Sequence, residues 1–150
     1  MNLVFVPVTR QQLEELASKG SLGGQMQAFV ANDRLKETFE ISDYKDAQEE
    51  AEMAALQVAG VWGLIASGER LIVVADADGV ELSPGDESEN GGVRVSGLNR
   101  KRVVSWFCDE EPPNSELTEK LAGQSLDEAW QLAQDFMAEH DLSWHDLSEV

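Results

Sequence analysis

The stretch Arg70-Leu-Ile-Val-Val-Ala75 constrains this chain most. Leu71 to Ala75 is an unbroken apolar run of strand length, rich in β-branched residues and without polar alternation. A strand of that kind is buried on both faces, so the chain must supply further strands beside it and covering elements above and below. Candidates for the neighbouring strands are Leu3–Val8, with Pro7 placed near a strand end, Met26–Ala31, the alternating Val93-Arg-Val95, and Val103–Cys108.

The covering elements are legible as helices. Thr9-Arg-Gln-Gln12 has the form of a capping box, Leu13, Leu16 and Ala17 follow at helical spacing, and Gly20 is a natural stop. Ser21–Gly24 reads as a loop and Asn32–Phe39 as a helical turn. A long helix is expected from Asp43, with Asp46, Glu49 and Glu50 near its N-terminus, where the helix dipole favours anions. Its apolar stripe runs from Ala47 to Ile65, Gly60 and Gly63 are weak points, and Gly68 ends it. Gly79–Gly92 reads as a polar loop, Asn99–Arg102 as a basic turn, and Asp109–Pro113 as a stop. Two helices close the series: a short one from Ser115, and a longer one opened by a second capping box, Ser125-Leu-Asp-Glu128. The expected order is β-α-β-α-β-β-β-α-α. That is an α+β (α/β-like) fold with one mixed sheet of about five strands and helices packed on at least one face.

With 150 residues and no linker or repeat, one globular domain over residues 1–150 is expected. No apolar run approaches the ~18 residues needed to cross a bilayer. The N-terminal MNLVFVPVTR lacks a basic n-region, and the single Cys108 permits no internal disulfide. These features together place the expectation in the cytoplasm. The formal net charge is −18, from 29 Asp+Glu against 11 Lys+Arg. Such a field disfavours direct contact with nucleic acid or an anionic membrane and suits a basic protein partner, while also serving solubility.

The segments VFVPVTRQQLEEL, AFVANDRLKE, RLIVVADAD, GGVRVSG, VVSWFCDEE and HDLSWHDLSE, with the alanine-rich acidic helix among them, are similar to landmarks of an uncharacterised actinobacterial family. Its members are short acidic proteins carrying a domain of unknown function. The chain departs from the pattern at Val8, where alanine is expected, and at His145, where tyrosine is expected. The resemblance implies one domain in a cytoplasmic setting and assigns no chemistry.

Three stretches carry residue types that do chemistry. HDLSWHD contains both histidines, His140 and His145, each followed by an acid. A helix from Leu126 would place Leu126, Trp130, Ala133, Met137, His140, Trp144 and Leu147 on one stripe. His145 would then point about 140° away from His140, whereas a helical zinc pair needs a spacing of four. An extended chain would put the two on opposite faces, and a break at Asp141 would let Ser143 cap a last turn with Asp146 at N3. His140 alone, paired with a distant acid, is the version that survives. Next, Asp76-Ala-Asp78 leaves the apolar strand at its C-terminal end, a common place for ligands. As a calcium loop it lacks the needed glycine, having Glu81 at position six. With Asp109 or Glu110 from a neighbouring strand, and with His140, it would make a hard-cation site. Last, Arg100-Lys101-Arg102 is a compact cluster of cations suited to an anion or an acidic partner. Cys108, inside an apolar strand, reads as packed, with no histidine near it in sequence.

The leading expectation is a non-enzymatic acidic interaction or regulatory domain without a resident cofactor. A small enzyme assisted by a divalent cation at Asp76, Asp78, Asp109 and His140 is the alternative, and nucleic-acid mimicry by acidic helices a weaker one. Each leaves the oligomeric state open.

Overall fold

The computed structural model describes residues 2–150. Its centre is one seven-stranded sheet in the order β4-β5-β2-β1-β3-β6-β7, every neighbouring pair antiparallel. The strands are β1 (Leu3–Pro7), β2 (Ser21–Val30), β3 (Leu71–Asp76), β4 (Leu82–Pro84), β5 (Gly92–Asn99), β6 (Val103–Asp109) and β7 (Leu142–His145). The helices are α1 (Arg10–Lys19), α2 (Asp33–Thr38), α3 (Ala47–Ser67), α4 (Ser115–Leu121), α5 (Leu126–Leu132) and α6 (Gln134–Glu139). Among the described residues, no helix is long and apolar enough to cross a membrane.

The apolar run behaves as its composition requires. β3 lies between β1 and β6, and Leu71 to Ala75 are all buried. Side-chain alternation sends Ile72 and Val74 with Phe5 and Phe29 into a core under α3, α4 and α5. Leu71, Val73 and Ala75 go with Val4, Val6 and Trp106 into a second core closed by Leu13 and Leu16 of α1. Helices therefore cover both faces. At α1 the Thr9 hydroxyl accepts from the Gln12 N–H at 3.1 Å, the Gln12 side chain accepts from the Thr9 N–H at 2.8 Å, and Gly20 closes the helix at φ 84°.

Several boundaries correct the sequence reading. The sheet has seven strands, not about five, and it is wholly antiparallel. β2 begins at Ser21, so the stretch read as a loop is paired, with a register shift between Leu22 and Gln25 that absorbs its two glycines. β4 is carved from the polar loop, where Leu82, Ser83 and Pro84 pair with Val95, Arg94 and Val93. The long helix starts at Ala47 behind Asp46, whose side chain makes no capping bond, and not at Asp43. The helix expected from Leu126 through Leu147 breaks twice. It stops at Ala133, restarts as α6, ends at His140 in extended geometry, and becomes β7. Asp146 caps a final 3-10 turn, Leu147–Glu149, as its N-cap and not at N3.

Candidate functional site

The most unusual group in the core is Arg70, whose side chain is 0 % exposed. It precedes β3, under α3, and each of its three nitrogens makes a hydrogen bond. Nε donates to Asp109 Oδ2 at 3.0 Å and Nη2 to Asp109 Oδ1, a bidentate pair with a carboxylate only 5 % exposed. Nη1 reaches Gln57 Oε1 at 3.5 Å, and Nη2 also donates to the His140 carbonyl at 2.8 Å. The guanidinium lies 4.8 Å from the Phe136 ring centroid. Gly60 of α3 leaves room for it: a Cβ there would stand 3.1 Å from Arg70 Cδ. One buried cation thus ties α3, β3, β6, α6 and the start of β7 together.

This arrangement decides where the expected cation ligands lie. β3 and β6 are neighbours, as the hypothesis required, but they run antiparallel. Leu71 pairs with Cys108, so Asp109 sits beside the beginning of β3, while Asp76 and Asp78 stand at its other end. Six residues of strand separate the two ends, about 20 Å at ~3.3 Å per residue. Asp109 is engaged by Arg70. His140 contributes its carbonyl to the same guanidinium and stacks its ring on Phe136, centroids 4.6 Å apart. Asp76 accepts from the Asp78 N–H at 2.9 Å in a local turn, and Asn2 reaches Asp78 at 3.4 Å. Among the described residues, no three His, Cys, Asp or Glu side chains are placed to share a metal ion.

The basic cluster forms a 3-10 turn between β5 and β6. Arg100 donates to the Ala17 carbonyl at 2.8 Å, where the C-terminal end of α1 favours a cation. Arg102 lies over the β3–β4 turn, its guanidinium against Gly79, where a Cβ would stand 2.4 Å from it. Lys101 and Arg102 flank a shallow cleft of about 530 Å³ shared with Ser96, Gly97 and Glu81.

The C-terminal edge gathers more. β7 is an edge strand, and Trp144, opposite Phe107, is 59 % exposed. Beside it lies a cleft of about 460 Å³ walled by Asp109, Glu110, Glu111, Glu139 and Asp141, with His140 and Ser143. Ser143 donates to Glu110 at 3.0 Å. On the face of the sheet opposite Trp144, Sγ of Cys108 in β6 is 3.5 Å from Nε2 of His145 in β7. His145 Nδ1 is 3.6 Å from Glu149 Oε1, and the imidazole stacks on Trp106 with centroids 4.3 Å apart. Burial pushes the Cys108 thiol above its ordinary value, only partly offset by Arg10.

A family model described as "Family of unknown function (DUF6912)" matches residues 3–150. The chain belongs to this family. Neither a curated protein nor a solved structure matches it. Membership in DUF6912 agrees with the resemblance at the level of a domain of unknown function spanning nearly all of the sequence.

Sequence reasoning missed Arg70 and the pairing of Cys108 with His145. Arg70 reads as the polar flank of a strand. Its signal was the matching acid, Asp109, closing the other apolar strand. The second pairing was hidden because HDLSWHD carries a helical period, and only an antiparallel β7 brings His145 diagonally across from Cys108.

Proposed function

We propose that this chain is a cytoplasmic, non-enzymatic interaction domain, a single unit over residues 1–150, which binds a basic extended segment of a partner protein along β7. The observation that carries the reading is the combination on one sheet edge of an open strand, a large exposed aromatic and an acidic wall. β7 offers backbone groups on its outer side, in the way edge strands accept an added strand. The other edge, β4, is three residues long and ends in Pro84, which cannot donate a backbone hydrogen bond. Trp144 offers a face for a lysine or arginine side chain or its apolar stem. Glu110, Glu111, Glu139 and Asp141 supply charge of the opposite sign. In this reading the acidity expected throughout the actinobacterial family steers association and the edge gives it a direction.

The cation-assisted enzyme draws no support from the antiparallel placement of Asp76 and Asp109. A labelled, extended lysine- and arginine-rich decapeptide tests the proposal by fluorescence anisotropy at about 0.15 M salt, where the Debye length is ~8 Å. Trp144→Ala and the triple variant Glu110→Gln/Glu111→Gln/Asp141→Asn should each weaken binding by about tenfold or more, a loss of ~1.4 kcal/mol. Equal binding by wild type and both variants would reduce the interaction to the general field and end this reading.

A further inference from the structure

We propose that Cys108, His145 and Glu149 form a base-assisted thiol site that exchanges with small disulfides. Three observations meet here. The sulfur and Nε2 are 3.5 Å apart, and the ring's other nitrogen faces the Glu149 carboxylate at 3.6 Å. This is the order of nucleophile, base and orienting acid that thiol catalysis uses. The imidazole is also held from several sides: it stacks on Trp106, whose indole N–H donates to the Asp146 carbonyl at 2.9 Å. Glu149 is itself held, its Oε2 accepting the Asp146 N–H at 2.5 Å. Finally, Cys108 is only partly buried and lies on the α1 face of the sheet, one strand in from the open edge β7.

The step balances with the disulfide as the only co-reactant. His145 Nε2 takes the thiol proton as Sγ attacks one sulfur of the disulfide. A bond forms between Sγ and that sulfur while the original S–S bond breaks. The leaving thiolate then takes the proton from His145, giving a mixed disulfide on Cys108 and one free small thiol. The charged groups near the sulfur are Arg10 of α1, Glu69 ahead of β3, and Asp109 and Glu110 at the end of β6, besides His145 and Glu149. The acids outnumber the single cation and oppose a preformed thiolate. Proton transfer during attack is therefore what His145 contributes.

Cys108 is the single cysteine, so the mass of the intact protein reads the reaction directly. The probe is hydroxyethyl disulfide, followed from about pH 5 to about pH 10 across the ordinary imidazole and thiol ranges. Wild type should react at neutral pH on the order of 10²-fold faster than H145Q, with a pH dependence that H145Q lacks. E149Q should lie between them, and free imidazole should restore much of the rate in H145A. Circular dichroism at each pH keeps a folding defect distinct from a chemical one. A folded H145Q with the wild-type pH profile, or an H145A that imidazole does not rescue, overturns the proposal.

Discussion

Arg70 shows how much one residue can commit a fold to. Its guanidinium is wholly buried and Asp109 nearly so, and removing one partner strands the other charge away from water. Arg70→Ala should cost about 3–5 kcal/mol in urea unfolding. The apolar pair Arg70→Met/Asp109→Leu should be less damaging than either single change, because it leaves no unpaired charge. A second residue-scale expectation concerns pH. Asp146 accepts the Ser148 N–H at 3.0 Å, and hydrogen bonds from Ser148 hold its carboxyl below the usual carboxylate range. Its folded value is lowered, so its contribution is present above the unfolded value and is lost as pH falls through the folded one. Protection of the Ser148 amide, measured as its exchange rate relative to the intrinsic rate at the same pH, should fall at acid pH in wild type and lose that acid-induced fall in Asp146→Asn. At this scale the caps were readable: Thr9 with Gln12, Ser125 and Gly20 all act locally, and local chemistry is written in consecutive residues. The partners of Arg70 lie up to 70 positions away, and no spacing encodes them.

Elements were legible in proportion to the length of their periodic signal. β3 and α3 were recognisable because each carries many residues of one pattern. β7 has four residues whose spacing also continues the stripe of the helix before it, and β4 has three within a polar segment. Neither holds enough periods to be distinguished without its neighbour in the sheet. The same limit affects α3, where Gly63 reads as a weak point in a helix. It is in fact a point of close approach, since a Cβ there would stand 2.7 Å from the Glu69 carbonyl oxygen, a backbone atom that cannot step aside. Gly63→Ala should therefore lower the melting temperature even though alanine is the better helix former by about 1 kcal/mol. A higher melting temperature would show that the α3–β3 connection yields. The same limit applies to the candidate cation ligands: the composition of their strand ends was readable, but the antiparallel direction that puts Asp109 and Asp76 at opposite ends of β3 was not.

Across the whole molecule, the −18 charge acts against compactness. Raising sodium chloride from about 0.01 M to about 0.5 M shortens the screening length from ~30 Å to below 8 Å. The melting temperature should rise with it, and a flat profile would mean that the acids are too dispersed to strain the fold. A divalent ion that stabilises beyond its ionic strength, and loses that effect in Asp76→Asn, would revive the cation site. The Arg70 network also bears on how the chain is made. During synthesis the apolar β3 leaves the ribosome with its arginine long before Asp109 and His140 do. The sheet cannot close around that cation until residue 140 has emerged. A chain cut short of these partners would carry an unanswered charge at its centre and offer itself to chaperones or proteases.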